Sequence, residues 1–95
     1  RSAVEPSGQL AAYAATKAAV LAFTRAIADE HRDANITANA VLPSIIDTSA
    51  NREAMGEDEA HRWVTPASLA RTIVFLASEA AGDLRGTAAQ VYGGV

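Results

Sequence analysis

From Gln9 to Arg32 the apolar positions recur with the period of a helix rather than that of a strand. Alanine, the best helix former, dominates this stretch, and neither Gly nor Pro interrupts it. Asn35 follows as a stop. At about 100° per residue, Tyr13, Lys17, Val20, Thr24 and Ile27 fall on one side, extended by Leu10 and Leu21. The opposite side carries Ala12, Ala15, Ala19, Ala22 and Ala26. Side chains this small let a second helix approach closely, toward the near end of the usual range of about 8–10 Å. The alanine face therefore predicts a helix–helix contact, either inside one domain or between copies of the chain in a homo-oligomer.

The period then changes. Ile36 to Leu42 reads as a strand ended by Pro43, with Ile36, Ala38, Ala40 and Leu42 on one face and Thr37, Asn39 and Val41 on the other. Pro43 to Val64 reads as a long polar connection holding short helices near Asn51–Met55 and Asp58–Trp63. Connections of this length inside a domain are usually functional or mobile. Thr65 can cap a second helix and Pro66 suits its first position; Leu69, Ile73, Leu76 and Ala77 continue it through Ser78. Gly82 and Gly86 mark a turn region, and Ala88 to Tyr92 reads as a short strand closed by Gly93-Gly94. Pro6, Ser7 and Gly8 make the first eight residues read as a loop.

The predicted order is helix, strand, connection, helix, strand. A strand–helix–strand unit predicts two parallel strands joined by a right-handed crossover. Two parallel strands want neighbours on both edges and helices on both faces. The predicted class is therefore α/β, with residues 1–95 forming the carboxy-terminal part of a single doubly wound parallel sheet of the Rossmann type. Such a sheet normally begins with a G-x-G-x-x-G phosphate loop, which none of the six glycines here fits.

Composition narrows the function classes. An apolar content of 49% excludes a disordered tail, but much of it is alanine, with only two Phe, one Trp and two Tyr. A chain this short buries only about 60% of its unfolded surface, so weak stability alone is expected. A net charge of −3 without a basic run argues against nucleic acid as a partner. The absence of Cys excludes disulfides and thiolate metal sites. No apolar stretch suits a membrane span, and no apolar core segment follows Arg1, so a cytoplasmic location without a secretory signal is expected. His31 suits the end of the long helix, and His61 lies among Glu57, Asp58 and Glu59 on what reads as a solvated face. No metal site is expected.

The main chemical signal is Tyr13-Ala-Ala-Thr-Lys17, which puts a phenol and an ammonium one turn apart on one helix face. A phenol ordinarily titrates near 10, too high for proton transfer at neutral pH. A neighbouring cation favours the phenolate, so such a pair can run general acid–base chemistry on an alcohol or carbonyl. A surface pair with a snorkelling Lys has the same spacing.

The run Tyr13-Ala-Ala-Thr-Lys17-Ala-Ala-Val, followed by Phe23-Thr24-Arg25, resembles the catalytic helix of the short-chain dehydrogenase/reductase family. Ile36-Thr-Ala-Asn39-Ala-Val41-Leu-Pro43 resembles that family's next strand and turn, and Thr48 stands where the family has a Thr after the turn. Pro66 to Ala77 and Val91-Tyr-Gly-Gly94 match its last helix and strand. The resemblance covers nearly the whole chain and implies an oxidoreductase using NAD or NADP. Tyr13 would exchange a proton with the substrate oxygen, and Lys17 would bond the nicotinamide ribose and activate Tyr13. Pro43, Ser44, Ile46 and Thr48 would line the nicotinamide end of the cofactor. The segment after Thr48 would form a substrate lid, with Asn51, Arg52, Met55 and Trp63 in contact with a small-molecule substrate. Val41 to Thr48, with Asn51-Arg52, Met55 and Trp63, is also similar to dihydropteridine reductase-like members, which implies a pterin-like alternative to an alcohol or carbonyl.

There are departures. In the family's register its catalytic Ser falls before Arg1, and Ser2 and Ser7 read as loop residues. The family's Asn on the preceding helix and its phosphate-binding half have no counterpart here. Ser44 replaces the usual Gly after Pro43, where close backbone approach would favour Gly. The chain by itself is therefore expected to be inactive. The rival reading is a non-enzymatic module that assembles through the Ala12–Ala26 helix face.

Overall fold

The computed structural model describes residues 7–94, with side-chain surroundings from residue 11 onward. Its main elements are α1 (Ser7–Glu30), β1 (Ala40–Pro43), α2 (Ser49–Met55), α3 (Pro66–Leu76) and β2 (Ala88–Val91). Single 3₁₀ turns lie at Arg32–Ala34, Ala60–Arg62 and Glu79–Ala81. The order matches the sequence reading. The chain divides into two compact units, one reaching Ala40 and including Leu84–Ala88, the other Val41–Asp83 with Ala89 onward.

In the first unit α1 already includes Ser7 and Gly8, which the composition assigned to a loop. Residues 1–6, including Ser2, lie outside the described residues. α1 ends at Glu30, short of the expected Arg32, and the 3₁₀ turn Arg32–Ala34 that follows is closed by Asn35 in a left-handed conformation (φ 57°), which Asn tolerates better than most residues. Toward its end the Tyr13 side turns inward: Leu21, Thr24 and Ile27 are half-buried and Ala28 is buried. Tyr13 and Val20 remain exposed, and so do all five alanines of the opposite face.

The strand expected from Ile36 begins only at Ala40. Asn39 is the physical reason. Its Nδ2 donates to the Leu84 carbonyl at 3.1 Å, and its Oδ1 accepts from the Thr87 N–H at 3.0 Å. The side chain thus occupies backbone groups that a longer ladder would pair. The ladder starts one residue later, where Ala40 N donates to Thr87 O at 2.9 Å.

In the second unit Ser44 N donates to Val91 O at 3.2 Å. The pairings of Ala40 with Thr87 and of Ser44 with Val91 keep one offset, so β1 and β2 run parallel. Past β1 a second parallel pairing joins Ile46 to Val64: Val64 N donates to Ile45 O at 2.9 Å, and Asp47 N to Val64 O at 2.7 Å. The connection from Asp47 to Trp63 is thereby tied at its base. α2 starts at Thr48, whose Oγ accepts from Asn51 N at 3.1 Å, and stops at Gly56. α3 starts as expected, with Thr65 Oγ accepting from Ser68 N at 3.1 Å and Pro66 in the first turn. Ala60, Trp63, Val64 and Ala81 form the buried centre of this unit. Among the described residues no helix is long and apolar enough to cross a membrane, and no group of three or more His, Cys, Asp or Glu could hold a metal ion.

Candidate active site

Tyr13 and Lys17 sit one turn apart on α1 of the first unit, with Tyr13 46% exposed. The Lys17 Nζ lies 5.3 Å from the centroid of the Tyr13 ring, within the reach of a cation–π contact. The ammonium makes no hydrogen bond or ion pair among the described residues, so its three donors are open to a ligand. Among the described residues no carboxylate pairs with it.

The remaining expected site residues belong to the second unit. Pro43 ends β1 and Ser44 begins the turn. Ser44 does not adopt a positive φ, so the turn does not demand the Gly that the family usually has. Its hydroxyl donates to the Tyr92 carbonyl at 2.8 Å, which holds the turn against β2. The Ile46 carbonyl accepts from Asn51 Nδ2 at 2.7 Å. The half-buried Ile46 N–H finds no acceptor among the described residues. An unpaired backbone donor is costly away from water, and here it is available to a carbonyl or amide group of a ligand.

The residues expected to line a substrate lid divide by what they touch. Arg52 grips both Asp47 oxygens, Nε at 2.6 Å and Nη2 at 3.0 Å, and its Nη1 reaches Glu57 at 2.6 Å. These hydrogen bonds, helped by the Arg52 charge and opposed by partial burial, hold the Asp47 carboxyl below the ordinary carboxylate value of 3.8. The same bonds push the Arg52 guanidinium further up. Asn51 likewise spends its side chain on the Ile46 carbonyl and its N–H on Thr48. Met55 is 49% exposed. Trp63 is buried, 7% exposed, beside an open hollow of about 300 Å³ also bordered by Val64, Ser68 and Arg71. Sequence reading passed over Asp47 and Val64, which close and clamp the lid. The signal available for Asp47 was an acid next to a capping Thr with an Arg five residues on.

A family model described as enoyl-(acyl carrier protein) reductase matches residues 2–95. A 3-oxoacyl-[acyl-carrier-protein] reductase of Mycobacterium tuberculosis is 42% identical over 93% of this chain and 39% of its own length. An acetoacetyl-CoA reductase of Paracoccus denitrificans is 38% identical over 86% of this chain and 38% of its own. Among solved structures, a 3-oxoacyl-[acyl-carrier protein] reductase from Brucella melitensis superposes with a TM-score of 0.77 at 30% identity, covering 87% of this chain and 34% of that one. A 4-hydroxyisoleucine dehydrogenase complexed with NADH gives 0.77 at 26% identity, over 88% of this chain and 39% of that one. The chain thus spans about 39% of the length of the curated relative it resembles at 42% identity.

Proposed function

Because this chain belongs to the short-chain dehydrogenase/reductase family, we propose that it carries the proton-transfer half of an NAD(P)-dependent oxidoreductase acting on a carbonyl–alcohol pair. The observation that carries this reading is the open Lys17 ammonium beside the Tyr13 ring on one face of α1. When bound, a nicotinamide cofactor supplies or accepts the hydride. In reduction the Tyr13 O–H donates its proton to the substrate oxygen as the carbon takes up the hydride, giving the alcohol. In oxidation the phenolate takes that proton back. The Lys17 charge stabilises the negative charge left on the Tyr13 oxygen, and its free donors bond the ribose hydroxyls. We propose that residues after β1, in the second unit, would also bind a nicotinamide cofactor. The unpaired Ile46 N–H offers a donor to the nicotinamide carboxamide, Thr48 keeps a hydroxyl proton to give, and Pro43 and Ser44 form the adjoining wall.

In the lid, Met55 contributes exposed apolar surface to the substrate, and Asn51, Arg52 and Trp63 border the substrate while holding the lid's shape. The names of the relatives favour a 3-oxoacyl thioester over a pterin. We also propose that the alanine face of α1 packs against a second copy of the chain.

Titration with NADH and NADPH tests the cofactor half of the reading, with saturable binding expected and weakened by Lys17→Met. The catalytic half is tested by reduction of acetoacetyl-CoA, with the remaining portion of the M. tuberculosis relative supplied as a separate polypeptide. Tyr13→Phe is expected to lower turnover about 10²–10⁴-fold, the range of general acid–base catalysis, with an unchanged circular dichroism spectrum. Turnover by Tyr13→Phe at the original rate would overturn the assignment.

A further inference from the structure

Three of the eight Lys and Arg side chains of this chain, Arg25, Arg32 and Arg85, border one hollow of about 450 Å³ in the first unit. Arg25 and Arg32 lie seven residues apart at the end of α1 and just beyond it, and Arg85 is brought to them from the turn before β2 by the fold. Gly86 makes this possible. At φ 71° it brings the turn before β2 against α1, so closely that a Cβ there would lie 3.4 Å from Arg25 Cγ and 3.7 Å from Ala28 Cβ. Arg85 is fixed from behind: its Nη1 donates to Ile36 O at 3.2 Å and to Arg32 O at 3.5 Å. Its Nε and Nη2 have no acceptor among the described residues. Arg32 pairs with Asp29, the single acid lining the hollow. Arg25 makes no hydrogen bond or ion pair among the described residues.

The sign of the local charge decides what could bind. Three guanidinium charges face the one carboxylate of Asp29 and the carboxy-terminal end of α1, which carries about half a negative charge. The hollow therefore keeps an excess of about 1.5 positive charges, on a chain whose net charge is −3. Guanidinium forks match oxyanions with two or more oxygens. The volume falls within the range of about 300–1,000 Å³ typical of small-molecule clefts. A diphosphate offers two linked oxyanion groups, one for each of the Arg25 and Arg85 forks, where a lone carboxylate offers one.

We propose that this hollow binds a small anion bearing a diphosphate group, held chiefly by Arg25 and Arg85 with Arg32 supporting. None of these residues belongs to the proton-transfer or lid machinery, so the proposal stands or falls apart from the proposed enzyme activity.

Calorimetric titration of the chain with inorganic pyrophosphate, ADP and acetate tests it. Pyrophosphate is expected to bind saturably with one equivalent, more weakly at higher salt. Arg25→Gln and Arg85→Gln are each expected to weaken binding at least about tenfold, as loss of a charge-assisted contact predicts, while Arg71→Gln leaves it unchanged. Arg85 also supports the backbone at Ile36, so Arg25→Gln, which removes no internal bond, is the decisive variant. Tighter binding of ADP than pyrophosphate would identify a nucleotide-type ligand, and equal binding a free or terminal diphosphate; both support the site. No saturable binding of pyrophosphate, acetate binding as tightly, or an unaltered affinity in Arg25→Gln would each overturn it.

Discussion

Gly93→Ala isolates the contact between the end of β2 and the Arg62–Val64 segment. Gly93 has φ 61°, a left-handed conformation that costs a residue with a Cβ about 1–2 kcal/mol. That Cβ would stand 2.9 Å from the Arg62 carbonyl oxygen and 3.4 Å from Val64 Cγ2. The carbonyl cannot easily retreat, because it already accepts the Gly94 N–H at 2.9 Å. Overpacking of this kind costs about 1–3 kcal/mol. Alanine returns about 0.4–1 kcal/mol by restricting the unfolded chain. The net expectation is a loss of about 1–5 kcal/mol, a large share of a small domain's stability of about 5–15 kcal/mol. Trp63 is the only tryptophan and is buried beside this contact, so its fluorescence in a urea titration reports on this unit directly. Gly82→Ala is the control. Gly82 has an ordinary φ of −60° and its Cβ would lie 3.1 Å from Glu79 O, so a change within about 1 kcal/mol is expected. A Gly93→Ala midpoint within about 0.5 kcal/mol of the original chain would refute the reasoning, since even the smallest net sum, about 1 kcal/mol, exceeds that value.

Other expectations follow from the same geometry. The carboxyl of Asp47 is held below 3.8, so the Arg52 clamp is fully present above that pH and is lost as pH falls through the lowered value. Carboxyl NMR should place the Asp47 midpoint below 3.8, and Arg52→Met should return it upward; a midpoint at or above 3.8 in the original chain contradicts the clamp. Thr65→Ala removes the α3 cap and should cost about 1 kcal/mol by Trp63 fluorescence, within the usual range of about 0.5–2. Ala19→Glu places a charge on the alanine face and should shift sedimentation toward monomer, whereas an unchanged distribution would remove that face from any interface.

What the sequence made legible is what local chemistry decides. Uninterrupted alanine wrote α1, Thr65-Pro66 wrote the start of α3, and Asn35 wrote the end of the 3₁₀ turn that follows α1, each through its own backbone preference. The Tyr13–Lys17 pair was readable because helical spacing alone brings those two residues together. The start of β1 was misplaced because Asn39 satisfies backbone groups at Leu84 and Thr87, far away in sequence. For the same reason the Ile46–Val64 pairing could not be read: nothing in either short apolar run names its partner. The resemblance implies Arg52 as a substrate contact, and only the folded segment reveals two carboxylates already at its guanidinium. The gathering of Arg25, Arg32 and Arg85 depends on the turn at Gly86 and was equally invisible.

The pairing of Ile46 with Val64 makes the segment between them a closed ring with its own circumference. Its ends are held by Val64 N to Ile45 O and Asp47 N to Val64 O, not by the ring's own contour. Residues added near the exposed Glu57 to Glu59 stretch would lengthen the ring without pulling on Ser44 or on the start of α3. Even doubling a flexible loop costs only about 0.6 kcal/mol in closure entropy. The segment between Asp47 and Trp63 can therefore change length by insertion and deletion while the turn after β1 stays fixed.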